Sequence, residues 1–162
     1  MDIEKINIKV DIKNLLKDFN ENKDKWPIHK NRICLNNHNN VDDYVKNAGQ
    51  RLIYTEFKYM NSIFKNTIWE ETLKLLPIKI SRARIMIMKP ESLLVIHRDL
   101  EPRYHLALIT DPACMFVDYD NKKTFHIPSD GYFYKVDTRQ LHTFINPTHD
   151  VYRVHLVVNE HV

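Results

Sequence analysis

The chain predicts a mainly β fold, a double-stranded jelly roll with helices from its first half packed outside. Three observations predict it. From residue 78 onward apolar and polar residues alternate with a period of two, the pattern of half-buried strands. The alternating runs are short and number eight, at 78–88, 93–97, 104–109, 115–119, 124–127, 132–136, 142–145 and 151–158. Turn signals separate them: Lys89-Pro90-Glu91, Asp111-Pro112, Asp120-Asn121, Pro128-Ser129-Asp130-Gly131 and Asn146-Pro147. Eight short strands at this spacing close as two facing sheets. Gly49 and Gly131 are the only glycines, so the turns must draw on Asn, Asp and Pro, which tolerate or preset the dihedrals required.

The first half is mixed. Ile6, Ile8 and Val10 alternate with polar residues as in a short strand, and Asp11 is placed to cap a helix burying Ile12, Leu15, Leu16 and Phe19. After Pro27 an apolar stretch at 33–35 precedes the run Asn36-Asn37-His38-Asn39-Asn40, which reads as a solvated loop. His38 within it has no partner at metal-ligand spacing. Asn66 or Thr67 is placed to cap a further helix carrying Ile68, Leu73, Leu75 and Leu76, ended by Pro77.

Bulk properties narrow the function classes. A chain of 162 residues at 43% hydrophobic residues is one domain's worth of core. The net charge of +3 is too small and too scattered to indicate a nucleic-acid partner. Cys34 and Cys114 lie far apart without zinc-ligand spacing, which predicts reduced thiols in a cytoplasmic compartment. No apolar leader and no run of roughly 20 apolar residues is present, so a soluble protein without a membrane partner is expected.

The chemistry concentrates at His97-Arg98-Asp99, with His142 and Arg153 further along. A strand places residues i and i+2 on one face, so His97 and Asp99 are able to present an imidazole nitrogen and a carboxylate oxygen to one metal ion. Such a pair arises easily by chance in a chain with nine histidines, so its weight depends on a third ligand. His142 is the candidate, because a jelly roll returns a later strand beside the first pair. Two histidines and one carboxylate leave open positions on the metal, the arrangement that suits non-haem Fe(II) in oxygen chemistry. Arg153, on the next strand, offers a planar fork matched to a carboxylate of an oxo-acid. His155 shares the face of Arg153 and is a weaker rival for the third ligand; His126, before a turn, has a lower claim. Arg103 and His105 form another i, i+2 pair that reads either as a satisfied polar layer or as hydrogen-bond partners of a bound carboxylate.

The segments RARIMIMKPESLLVIHRD, RYHLALITDPACMF, FHIPSDGYFYKVDT and LHTFINPTHDVYRVHLVV resemble the aspartyl/asparaginyl β-hydroxylase family of Fe(II)- and 2-oxoglutarate-dependent oxygenases, over about residues 68–158. The resemblance implies a cupin-like jelly roll, Fe(II) held by His97, Asp99 and His142 as the catalytic centre, and 2-oxoglutarate held by Arg153. Arg103 and His105 match positions that contact the cosubstrate, and dioxygen is the co-reactant. The implied reaction is hydroxylation of an unactivated C–H bond of an amino-acid residue in a peptide or protein, of the Asp/Asn type. A free amino acid such as proline, aspartate or asparagine is the alternative substrate, and a non-catalytic cupin-like binding protein is the second alternative. One oxygenase domain over 1–162 is expected, with 78–162 as the jelly-roll core and 1–77 packing on it and contributing the substrate pocket.

Overall fold

The strands form where the period-two pattern runs, and a computed structural model describes them for residues 1–49 and 55–161. The first half contributes β1 (Ile3–Lys9), α1 (Ile12–Asn22), β2 (Arg32–Cys34), β3 (Asn36–Asn37), α2 (Lys46–Gly49), β4 (Tyr59–Met60), a 3-10 turn (Ser62–Phe64) and α3 (Ile68–Lys74). Eight strands follow: β5 (Ile80–Met88), β6 (Ser92–Leu93), β7 (Arg103–Ile109), β8 (Met115–Asp118), β9 (Lys123–Phe125), β10 (Tyr132–Val136), β11 (His142–Asn146) and β12 (Arg153–Glu160). The larger sheet has the order β1-β10-β7-β12-β5-β2 and the smaller β6-β11-β8-β9, with antiparallel pairing throughout. Of the last eight strands, β5, β7, β10 and β12 lie in the larger sheet and β6, β8, β9 and β11 in the smaller. This is the double-stranded jelly roll, reached as the sequence predicts.

The larger sheet has two different faces because its strands alternate. On β12, Val154, Leu156 and Val158 join Ala83 and Ile85 of β5 and Leu106 and Leu108 of β7 in a core that Leu15 and Phe19 of α1 and Trp69 and Leu73 of α3 cover. Arg153, His155, Val157 and Asn159 occupy the alternate positions, and the site is built on that face. A slip of one residue in the β12 register would exchange the two sets. Asp11 caps α1 by accepting from the Asn14 N–H at 3.1 Å, and Thr67 caps α3. The Trp69 indole N–H donates to Asp18 at 2.6 Å, tying α3 to α1. Gly131 takes φ +78° in the turn before β10, where a Cβ would stand 2.9 Å from the Val10 carbonyl oxygen. Other left-handed positions fall to Asn31, Asn40 and Asn66, and also to Lys30, Glu91 and Lys122.

Two expectations are corrected. The asparagine run is not a solvated loop throughout: Asn36 and Asn37 are buried, 2% and 1% exposed, on β3. The Asn36 amide stands in for a backbone ladder group, which a carboxamide does well because it both donates and accepts. Asn36 accepts from the Ala83 N–H at 2.8 Å and donates to the Phe57 carbonyl at 3.1 Å, while Asn37 donates to Asn61 at 2.9 Å. The run expected as a strand at 93–97 forms a ladder over Ser92–Leu93 alone, followed by one bond from the Leu94 N–H to the Phe144 carbonyl at 3.0 Å and a single bridge between His97 and His142. Its apolar side chains therefore form an exposed lip, with Val95 81% exposed. Cys34 and Cys114 are free thiols, both buried, and burial pushes the Cys34 thiol up to about 11.

Candidate metal and cosubstrate centre

The backbone bridge between His97 and His142 sets the site. Each residue's N–H donates to the other's carbonyl at 2.9 Å, which brings the two imidazoles side by side with ring centroids 4.5 Å apart. His97 Nδ1 lies 2.6 Å from the Val95 carbonyl and His142 Nδ1 lies 2.8 Å from that of Gln140. A carbonyl only accepts, so Nδ1 carries the hydrogen in both rings and the Nε2 lone pairs are left for another partner. Both point toward Asp99, with His97 Nε2 3.7 Å from Oδ1 and His142 Nε2 3.7 Å from Oδ2. Those separations are too long for hydrogen bonds. The ligand atoms of all three residues lie within 4.8 Å of one another, and no other such trio occurs among the described residues.

Asp99 is fixed from two sides. Its N–H donates to the Thr138 carbonyl at 2.9 Å, and Arg103 donates from Nη2 to Oδ1. Oδ2 is buried and without a hydrogen-bond partner. Burial lowers the His142 pKa from the usual histidine value, so the ring is held neutral. Two imidazoles whose Nε2 atoms face Asp99 and a carboxylate oxygen lacking a hydrogen-bond partner form a donor set suited to a divalent ion. The carbonyl contacts at Nδ1 are the outer supports such ligands use.

Arg153, from β12, is 5% exposed. Its guanidinium lies 3.3 Å from the centroid of the Phe144 ring and donates from Nη2 to His155 Nδ1 at 2.7 Å. No acidic side chain among the described residues pairs with it, and its Nε is buried without a hydrogen-bond partner. Burial pushes its pKa well below the usual arginine value. His105 and His155 are held well below the ordinary histidine range, first by burial and then by Arg153 beside them. A buried cation between neutral rings is costly unless an anion joins it. Arg153 lines an inner cleft with His97, His142, Arg103, His105 and Met86.

The structure brings together His97, Asp99 and His142, and sets Arg153, Arg103 and His105 in the adjoining cleft. His155 stands against Arg153 and outside the trio, and His126 contacts the Cys114 carbonyl at 2.9 Å. Sequence reading missed Arg32, Arg82 and Arg84, which line the outer mouth of the cleft. The available signal was the Arg-Ala-Arg spacing of β5, which puts both guanidiniums on the site's face.

The sequence model of the Aspartyl/Asparaginyl beta-hydroxylase family matches residues 43–160. The chain belongs to the aspartyl/asparaginyl β-hydroxylase family. As a member of that family it is an oxidoreductase, a hydroxylase of the 2-oxoglutarate/Fe(II) oxygenase type. Among solved structures it is similar to an oxidoreductase of the 2OG-Fe(II) oxygenase family from Burkholderia pseudomallei, at 14% identity and a TM-score of 0.52, over 89% of this chain and 76% of that one. That likeness shows the fold. No curated protein matches the chain. The β-hydroxylase family implies Fe(II), 2-oxoglutarate and dioxygen, and the donor set described above fits the metal while the buried Arg153 guanidinium fits a carboxylate. No helix among the described residues is long and apolar enough to cross a membrane.

Proposed function

We propose that this β-hydroxylase family member hydroxylates an amino-acid residue within a peptide or protein, of the Asp/Asn type, with His97, Asp99 and His142 holding Fe(II) and Arg153 pairing with the 5-carboxylate of 2-oxoglutarate. The observation that carries the reading is the convergence of three ligand atoms, one of them a buried carboxylate oxygen lacking any partner. Fe(II) with 2-oxoglutarate and dioxygen supplies the oxidation that turns a C–H bond into an alcohol. The remaining work falls to the chain. Val95 and Gln140 hold the imidazoles in one tautomer through their carbonyls, and Arg103 and Thr138 hold Asp99. Arg153 would hold a carboxylate of the cosubstrate with its planar fork, and its seat over the Phe144 ring limits the angles the guanidinium takes. Arg103 and His105, which line the same cleft, would add contacts to the same molecule. Phe116 and Phe144 give that inner end apolar walls, so each charged contact there acts at lower local dielectric than in water.

An outer mouth of about 400 Å³, bordered by the exposed Leu94, Val95 and Leu100, favours a peptide over a free amino acid, since an enclosed pocket suits the latter. The N-terminal segment over 1–77 contributes Arg32 to that mouth, in keeping with its proposed part in substrate binding. The test is succinate release from 2-oxoglutarate by purified protein with Fe(II), screened against peptides and free amino acids. Stimulation by peptides is expected. Stimulation by free proline, aspartate or asparagine alone would transfer the assignment to the free-amino-acid reading, and absence of succinate under all conditions would leave only a binding role.

A further inference from the structure

His155 is buried, titratable and outside the metal trio. It follows Arg153 by two residues on β12, so both side chains leave the sheet on one face. In register it lies between Met86 of β5 and Ala107 of β7, and the small alanine leaves room for an imidazole. Its ring packs edge to face with Phe144 and His105, at centroid distances of 6.2 and 5.8 Å. Arg153, His105 and Phe144 line the inner cleft, whereas His155 stands behind them. Any effect it has on a molecule in the cleft therefore passes through its neighbours, of which Arg153 is the one it bonds.

That bond fixes the tautomer. A guanidinium only donates, so His155 Nδ1 accepts from Arg153 Nη2 at 2.7 Å and the ring hydrogen sits on Nε2. His97 and His142 hold the opposite tautomer, because their Nδ1 atoms face carbonyls. A second proton on His155 would set donor against donor and cation against cation; burial, and next Arg153, keep the ring neutral. The neutrality of this partner matters. A carboxylate in its place would hold the guanidinium as firmly but would also cancel the charge that an incoming carboxylate needs. A neutral acceptor takes one N–H and leaves the charge and the rest of the fork. The Phe144 ring, with its centroid 3.3 Å from the guanidinium carbon, limits tilting out of the plane, and His155 limits rotation within it.

Resting on the reading of Arg153 as the cosubstrate anchor, we propose that His155 is a positioning residue: as an uncharged Nδ1 acceptor it fixes the rotation of the Arg153 guanidinium, so that the fork meets a carboxylate of 2-oxoglutarate without being neutralised beforehand. The i, i+2 spacing on β12 supplies both members of the pair from one strand, and the bond needs no other element to move.

The test is anaerobic calorimetric titration of 2-oxoglutarate into the Fe(II)-loaded protein, comparing Arg153→Ala, His155→Leu, His155→Asn and His155→Asp with the parent. Asparagine carries Oδ1 where the imidazole carries Nδ1, so His155→Asn should keep the affinity within about threefold, whereas His155→Leu, with no acceptor, should lose about tenfold. His155→Asp is isosteric with the asparagine variant and should bind 2-oxoglutarate about tenfold more weakly than it while melting no lower, because the new carboxylate stabilises the buried guanidinium and competes for it. Fe(II) affinity should be the same in all three. A role in packing alone would move stability and binding together. Asparagine no better than leucine, aspartate as good as asparagine, or leucine equal to the parent would overturn the proposal, and the asparagine–aspartate comparison decides it whether or not the leucine variant folds. The underlying reading fails separately: unchanged affinity in Arg153→Ala removes the anchor itself, whereas a loss there with all three His155 variants matching the parent removes only the positioning role.

Discussion

His142 and Arg153 hold tasks that single substitutions separate, because their side chains end in different parts of the cleft. His142 supplies one of two imidazoles whose Nε2 faces Asp99, so His142→Ala is expected to abolish Fe(II) binding in an anaerobic titration. His155→Ala should leave that binding intact, since its ring contacts Arg153 and stands outside the trio. Loss of metal in the second variant and retention in the first would show that the third ligand is misassigned. Arg153→Ala should keep the metal and raise the KM for 2-oxoglutarate by more than tenfold, the loss of a charge-assisted pair of about 2–3 kcal/mol. Lysine at 153 should not restore it, because a point charge neither forks onto a carboxylate nor stacks flat on Phe144.

At the scale of elements, the short ribbon of β3 and β4 shows how polar residues build structure. Asn36 satisfies the Ala83 N–H and the Phe57 carbonyl with a single side chain. Asn36→Ala strands both groups in a buried setting, and a loss of about 2–4 kcal/mol in unfolding free energy is expected by urea denaturation. An effect below about 0.5 kcal/mol would mean that water reaches those groups. The β6 segment shows the reverse case. Its apolar sequence suits a longer strand, yet the ladder ends at Leu93, with one further bond from the Leu94 N–H to the Phe144 carbonyl at 3.0 Å, and pairing returns at the His97 bridge. The interruption frees Leu94 and Val95 for the cleft while the bridge still places His97 beside His142.

For the molecule as a whole, the polar face of the larger sheet makes stability depend on pH. His105 and His155 are buried and neutral, with pKa values held below the ordinary histidine value of about 6.5. The unfolded chain takes up protons near that value while the folded chain does not, so stability is complete above it and falls as pH drops below it. Each imidazole contributes a slope of up to about 1.4 kcal/mol per pH unit in that window. Melting temperature of the metal-free protein should therefore be level between pH 8 and 7 and decline from 6.5 to 5. A level profile down to pH 5 would show that both rings are protonated in the fold.

Much of the architecture is legible in the order of residues alone. The period of two over residues 78–158 determined eight strands and their inward sides, because side chains on a strand alternate whatever its partners are. Local chemistry determined the caps at Asp11 and Thr67, since an N-cap needs only its own next turn. His97, Asp99, His142 and Arg153 are likewise readable as types at suitable spacing. Tertiary structure alone decided which strands neighbour one another, that Asn36 replaces a ladder group, that His155 serves Arg153 and stays out of the metal trio, and that Arg32 of β2 meets Arg82 and Arg84 of β5. Those are pairings between distant parts of the chain. Their energies depend on distance and burial, which composition and spacing do not carry, and which arise only once the two sheets close on each other.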